Sequence, residues 1–112
     1  MASTTFIIKR HDTLPILTAV LKDSSDVVLN LENTTVLFTM KDISTGDIKI
    51  DTQPCTIVSA SSGIISYSWV ATDTDTAGEY LGEFEIEYET GKMTVPTEDA
   101  LAIVILEDYN NK

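Results

Sequence analysis

One stretch limits the possible folds more than any other: GEYLGEFEIEYE, residues 78–89. It alternates without a slip. Tyr80, Gly82, Phe84, Ile86 and Tyr88 fall on one side of an extended chain, and Glu79, Leu81, Glu83, Glu85, Glu87 and Glu89 on the other. A period of two belongs to a β-strand, in which successive side chains point to opposite faces. The aromatic side has to be core, and the carboxylate side has to meet water or an interface. A slip of one residue would bury the glutamates, so the register of this strand is strongly specified.

The rest of the chain has the same rhythm. Short apolar runs alternate with clusters of Asp, Ser, Thr, Asn and Gly, the pattern of an antiparallel β domain. The runs are TTFIIKR (4–10), ILTAVLK (16–22), a short VVLNL (27–31), TTVLFTMK (34–41), IKI and CTIV on either side of Pro54, IISYSWV (64–70), MTV (93–95) and ALAIVIL (100–106). In TTVLFTMK, the residues Val36, Phe38 and Met40 face one way and Thr35, Thr39 and Lys41 the other, with Leu37 the exception. In IISYSWV, Ile65, Tyr67 and Trp69 share a face and serines lie opposite. Gly46, in DISTGD, is free to take a positive φ. Thr97, Glu98 and Asp99 resemble a helix start, but the β-branched AIVI after them favours a strand. About eight strands without a convincing helix make one domain, residues 1–112, built as a sandwich or a small barrel.

Composition narrows the function classes. The 112 residues carry 18 acids and 7 bases, a formal charge of −11. That charge repels nucleic acid and anionic membranes, so the expected partners are proteins, including ones with basic patches. The single cysteine, Cys55, forbids an internal disulfide and a four-cysteine metal site. Cys55 reads as a small buried hydrophobe rather than a reactive thiol. The apolar run near the start is too short for a signal sequence, and ALAIVIL is too short to span a bilayer. Folding in a reducing cytosol is expected, with assembly there into something that later leaves the cell.

Few residues are candidates for chemistry. Asp73, Asp75 and Glu79 present oxygens at alternating positions, as a hard cation would need. The calcium-loop pattern then fails, because its next positions fall on Ala77 and Phe84. An Asx-type turn is the expected structure there. Glu83, Glu85, Glu87 and Glu89 form a row that is either a solvated face or a docking face for a basic partner, and they are the candidate interface residues. Bases on adjacent strands are expected to offset their mutual repulsion. His11 is the only histidine, and the glycines are scattered rather than gathered into a phosphate loop. No catalytic set, metal or cofactor is expected. Trp69, Tyr67 and Tyr80 could stack on a sugar, but their shared alternation with Ile65 places them in the core.

Gly78 and Tyr80, at the start of a long strand, match the tyrosine corner of immunoglobulin-like sandwiches, in which the tyrosine hydroxyl bonds back to upstream backbone. A wider pattern agrees. Val36, Phe38, Met40 and Lys41, then Gly63, Tyr67 and Trp69, then Asp73, Thr74, Ala77, Gly78 and Tyr80, then Glu83, Phe84 and Glu85, and finally Pro96 follow one another in order. Over most of its length, from about Phe6 to Leu106, the chain thereby resembles the N-terminal domain of phage baseplate upper proteins and related small tail proteins of phages and prophages. The resemblance implies an immunoglobulin-like antiparallel β-sandwich in a virion, assembled in the bacterial cytoplasm. Its role would be non-enzymatic: holding other virion proteins in place, in several copies set by particle symmetry. Two departures stand out. NLEN, residues 30–33, replaces the Asp-Leu-Thr-Gly turn often seen before the Val-x-Phe strand, and the chain stops at Lys112, where family members often continue into a helical segment carrying receptor-binding proteins. A ring, collar, decoration or adaptor role stays open, and an accessory or adaptor place in the tail tip, baseplate or neck is expected. The alternatives are a capsid decoration protein of the same fold and a carbohydrate-binding or adhesion module.

Overall fold

A computed structural model describes residues 4–96 and 101–107 of the chain. Among the described residues, nine strands and one 3₁₀ turn make up the regular structure. The larger sheet has the order β1-β9-β7-β3-β4: β1 Thr4–Lys9, β9 Leu101–Leu106, β7 Gly78–Tyr88, β3 Thr35–Asp42 and β4 Ile48–Pro54. A sixth strand, β8 (Gly91–Val95), also pairs with β7. The smaller sheet has the order β2-β6-β5: β2 Leu17–Val20, β6 Ile64–Tyr67 and β5 Thr56–Ser59. The two sheets share one core and form an all-β sandwich. Phe38 on β3 lies 4.9 Å, ring centre to ring centre, from Tyr67 on β6.

The long alternating stretch becomes the hub of the larger sheet. Along one side of β7 runs β3, from Asp42 opposite Tyr80 to Thr35 opposite Glu87. Along the other side β9 covers Gly78 to Gly82, and β8 covers Phe84 to Tyr88. Tyr80, Gly82, Phe84 and Ile86 are buried, while Glu79, Leu81, Glu83 and Glu87 are exposed. The alternation of β3 holds equally well: Val36, Phe38 and Met40 are buried, and Leu37 is half-buried on the outer side. Residues 101–106 form a strand, as their β-branched run predicts, whereas Thr97, Glu98 and Asp99 lie outside the described residues.

Several expectations need correcting. The sandwich is not wholly antiparallel, because β1 runs parallel to β9. Parallel neighbours need a long connection, and these two strands have almost the whole chain between them. Pro54 does not break a strand but ends β4, opposite Leu37. It is tolerated because β4 is an edge strand, where a missing N–H costs no ladder bond. Cys55 then carries the chain from the larger sheet to the smaller one, with its N–H donating to the Val36 carbonyl at 2.9 Å. Its side chain packs against the core, and burial pushes the thiol up to about 12.

VVLNL forms no strand and makes one bridge, Val28 to Lys22. The Asp23 carboxylate accepts from the N–H groups of Ser25 and Val27, and this local turn competes with strand pairing. β6 stops at Tyr67, so Trp69 lies beyond the strand although it is buried. Ser66, expected on the open face, is also buried, because β6 is the central strand and Thr18 and Thr56 flank Ser66 on either side.

Two glycines are required by packing. Gly63 has φ +66, and a Cβ there would sit 2.9 Å from the carbonyl oxygens of Leu21 and Leu29. Only glycine satisfies both constraints cheaply. At Gly82 a Cβ would lie 2.8 Å from the Phe38 ring and 2.9 Å from Ile103. The absent side chain on β7 is what lets Phe38 reach Phe84 at 5.1 Å and Tyr67 in the opposite sheet.

Candidate protein interface

The outward side of β7 carries Glu79, Leu81, Glu83, Glu85 and Glu87. Glu89 lies past the end of the strand in the turn to β8, so the expected row of four is three residues of strand and one of turn. On the β3 side the row meets Thr39, Leu37 and Thr35, none of them basic. On the β8 side Lys92 stands opposite Glu87 and reaches diagonally to Glu85, with Nζ–Oε1 at 3.7 Å. Offsetting charge is therefore supplied, as expected: by Lys92 on the β8 side and, beside Leu81 and one position beyond Glu83, by Lys41 of β3. Glu83 occupies the junction where the partner of β7 changes from β9 to β8. Exposed carboxylates two residues apart repel one another mildly, so a basic partner laid along the row would relieve that repulsion.

The structure adds a second half to this face, which the sequence reading did not pick out. Leu81, the single apolar residue among the outward glutamates, is 38% exposed. Beside it on β9 is Ala102, and one row further on Val104 lies next to Ile7 of β1. Ile7 is 57% exposed and Leu106 43%. A signal was present: residues 101–106, LAIVIL, are apolar at every position. A strand with one solvated face alternates, and a strand apolar on both faces is normally covered on both.

The corner before β7 is built as its residues predict. The Tyr80 hydroxyl donates to the Thr76 carbonyl at 2.7 Å, four residues upstream. Residues Ala71–Thr74 form the 3₁₀ turn, and the Asp73 carboxylate accepts from the Val70 N–H at 3.0 Å and the Tyr67 hydroxyl at 2.8 Å. Burial first, and then the Asp73 carboxylate, push the Tyr67 phenol well above its ordinary range. Asp75 faces the other way and pairs with Lys49 of β4, which holds its carboxyl below the ordinary carboxylate value. Thr74 is fully buried; its hydroxyl donates to the Asp12 carbonyl, and its own carbonyl accepts from the His11 N–H. The two aspartates of the suspected cation loop thus serve separate structural partners. Among the described residues no group of three or more His, Cys, Asp or Glu is placed to hold a metal ion.

The aromatic residues are interior. Trp69 is 4% exposed, stacks on Phe6 at 5.6 Å and meets Tyr67 edge-on at 5.3 Å. Tyr67 and Tyr80 are buried as well. An exposed sugar-stacking platform made of Trp69, Tyr67 and Tyr80 is therefore excluded. No protein-family model matches the chain, and no curated protein sequence matches it.

Proposed function

We propose that this protein is a non-enzymatic structural component of a phage particle, at the tail tip, baseplate or neck, where it docks neighbouring virion proteins. In this reading it is assembled in the bacterial cytoplasm, in several copies set by the symmetry of the particle. The observation that carries it is the division of labour among the residues. Most of those behind the phage-domain resemblance build the core and the corner, and Glu83 and Glu85 among them line a broad open sheet face rather than a cleft.

The immunoglobulin-like part of the reading draws support from topology. The grouping of β3, β7 and β9 in one sheet and β2, β6 and β5 in the other is compatible with the C, F, G and B, E, D strands of that fold. The Tyr80–Thr76 hydrogen bond is of the kind a tyrosine corner makes. Edge strands β4 and β5 offer further surface for neighbours in an assembly.

Immunogold labelling of intact particles from the producing host tests the proposal. Label at the tail tip, baseplate or neck is the expected outcome. Label on heads would choose the capsid decoration role instead, and particles that carry no label would overturn both.

A further inference from the structure

The outer face of the larger sheet combines two surfaces that are seldom left open side by side. At one end Ile7, Leu81, Ala102, Val104 and Leu106 are neighbours across β1, β9 and β7, with Glu79 beside Val104 and Lys41 beside Leu81 at the rim of the patch. At the other end Glu83, Glu85 and Glu87 continue the same strand on the same side. We propose that this face is a bipartite docking site for one segment of another protein, in which an apolar cluster is followed by lysines or arginines. The apolar cluster seats on Ile7, Leu81 and Val104, and the bases align with Glu83, Glu85 and Glu87. The inference rests on the docking role proposed above and names the chemistry of the partner.

Three observations select that occupant. The first is size. The site lies on β7, with eleven residues, and on β9 and β1, with six each. At about 3.4 Å per residue and about 4.8 Å per strand, these offer roughly 400 Å², which suits one short segment better than a whole globular partner. The second is charge. The chain has a formal charge of −11 and the row is acidic, so attraction favours a basic partner and disfavours nucleic acid and anionic lipid. The third is symmetry. In a face-to-face pair of identical chains centred on the sheet, each glutamate row would meet either the other glutamate row or the apolar half. Only the apolar half could be shared, which is too small for a stable dimer, so a second copy is a poor occupant.

An NMR titration of the labelled chain tests the assignment with three synthetic peptides of equal length. The first joins an Ile/Leu cluster to a run of lysines, the second joins the same cluster to glutamates, and the third joins serines to the lysines. The expected result is saturable shifts at Leu81, Ala102, Val104, Glu83 and Glu85 with the first peptide alone. The triple variant E83Q/E85Q/E87Q should weaken that binding about tenfold and flatten its salt dependence. Leu81→Ser, at an exposed position, should remove it while the rest of the spectrum keeps its native dispersion. Equal binding of the serine–lysine peptide, shifts at another face, or no binding by the first peptide would overturn the inference. So would a free chain that sediments as a dimer through Leu81. If the protein labels virions and the Leu81→Ser and E83Q/E85Q/E87Q variants assemble normally, this inference fails and the virion reading stands. If the face binds the first peptide but particles carry no label, the reverse holds.

Discussion

Strands β2, β5 and β6 carry no charged residue, whereas β7 alone carries four glutamates and β1, β3, β4 and β8 each carry at least one charge. The two sheets contribute to the same core, since Phe38 of one touches Tyr67 of the other. They differ in what they turn outward. The smaller sheet has four-residue strands and exposes Thr18, Val20, Thr56 and Val58, a neutral surface with little area. The larger sheet turns out a long face with a glutamate row at one end and, at the other, an apolar patch rimmed by Glu79 and Lys41. The core is thus a joint product of both sheets, while the capacity to recognise a partner is concentrated on one of them.

The largest loss is expected at the shared core. Phe38→Ala removes a fully buried ring that touches Tyr67, Trp69 and Phe84. It should cost about 3–5 kcal/mol. Denaturant unfolding followed by Trp69 fluorescence and by far-UV dichroism should show both probes shifting together, because neither sheet has a core of its own.

The two packed glycines sharpen the contrast. Gly63→Ala pushes a Cβ against backbone carbonyls at a positive φ, and the cost should be about 2–4 kcal/mol. Gly82→Ala meets only the ends of the Phe38 and Ile103 side chains, which can shift, so about 1–3 kcal/mol is expected. Denaturant midpoints of the two variants should rank in that order. The reverse order would show that the Phe38 packing is the more rigid of the two sites.

The corner comes next. Tyr80→Phe leaves the ring in place and removes the donor to the Thr76 carbonyl. A loss of about 1 kcal/mol is expected in chemical unfolding, the net worth of one such hydrogen bond.

The smallest effect belongs to the Lys49–Asp75 pair, which is partly exposed and should be worth at most about 1 kcal/mol. Its sign with pH is definite. Lys49 lowers the carboxyl of Asp75, so the contribution is present above the ordinary carboxylate value and is lost as pH falls through the lowered one. The stability difference between the native chain and Asp75→Asn should therefore shrink towards zero on acidification. A difference that stays constant down to low pH would show that packing, not charge, holds the pair.

Much of this architecture was legible in the residues. The alternation of residues 78–88 and 35–41 placed each side chain on its proper face, because period two is a local property of an extended chain. Gly78 and Tyr80 marked the corner for a similar reason: the hydroxyl bonds to backbone four residues away. Of the candidate interface, the glutamate row was legible and the apolar half was not. Leu81 read as an exception, and nothing in the order of residues placed Ile7 and Val104 near it. β1 and β9 come from opposite ends of the chain and meet in parallel.

The sequence by itself determined which side of β3 and of β7 is wet and where the chain turns sharply before β7, since these follow from interactions among near neighbours. Only the tertiary structure decided which strands lie side by side, that Pro54 closes an edge strand instead of breaking one, and that Cys55 carries the chain from one sheet to the other. The pairing of distant strands is settled by how all the apolar faces can be buried at once, a collective property that no single run of residues contains. The bipartite outer face is one of its consequences.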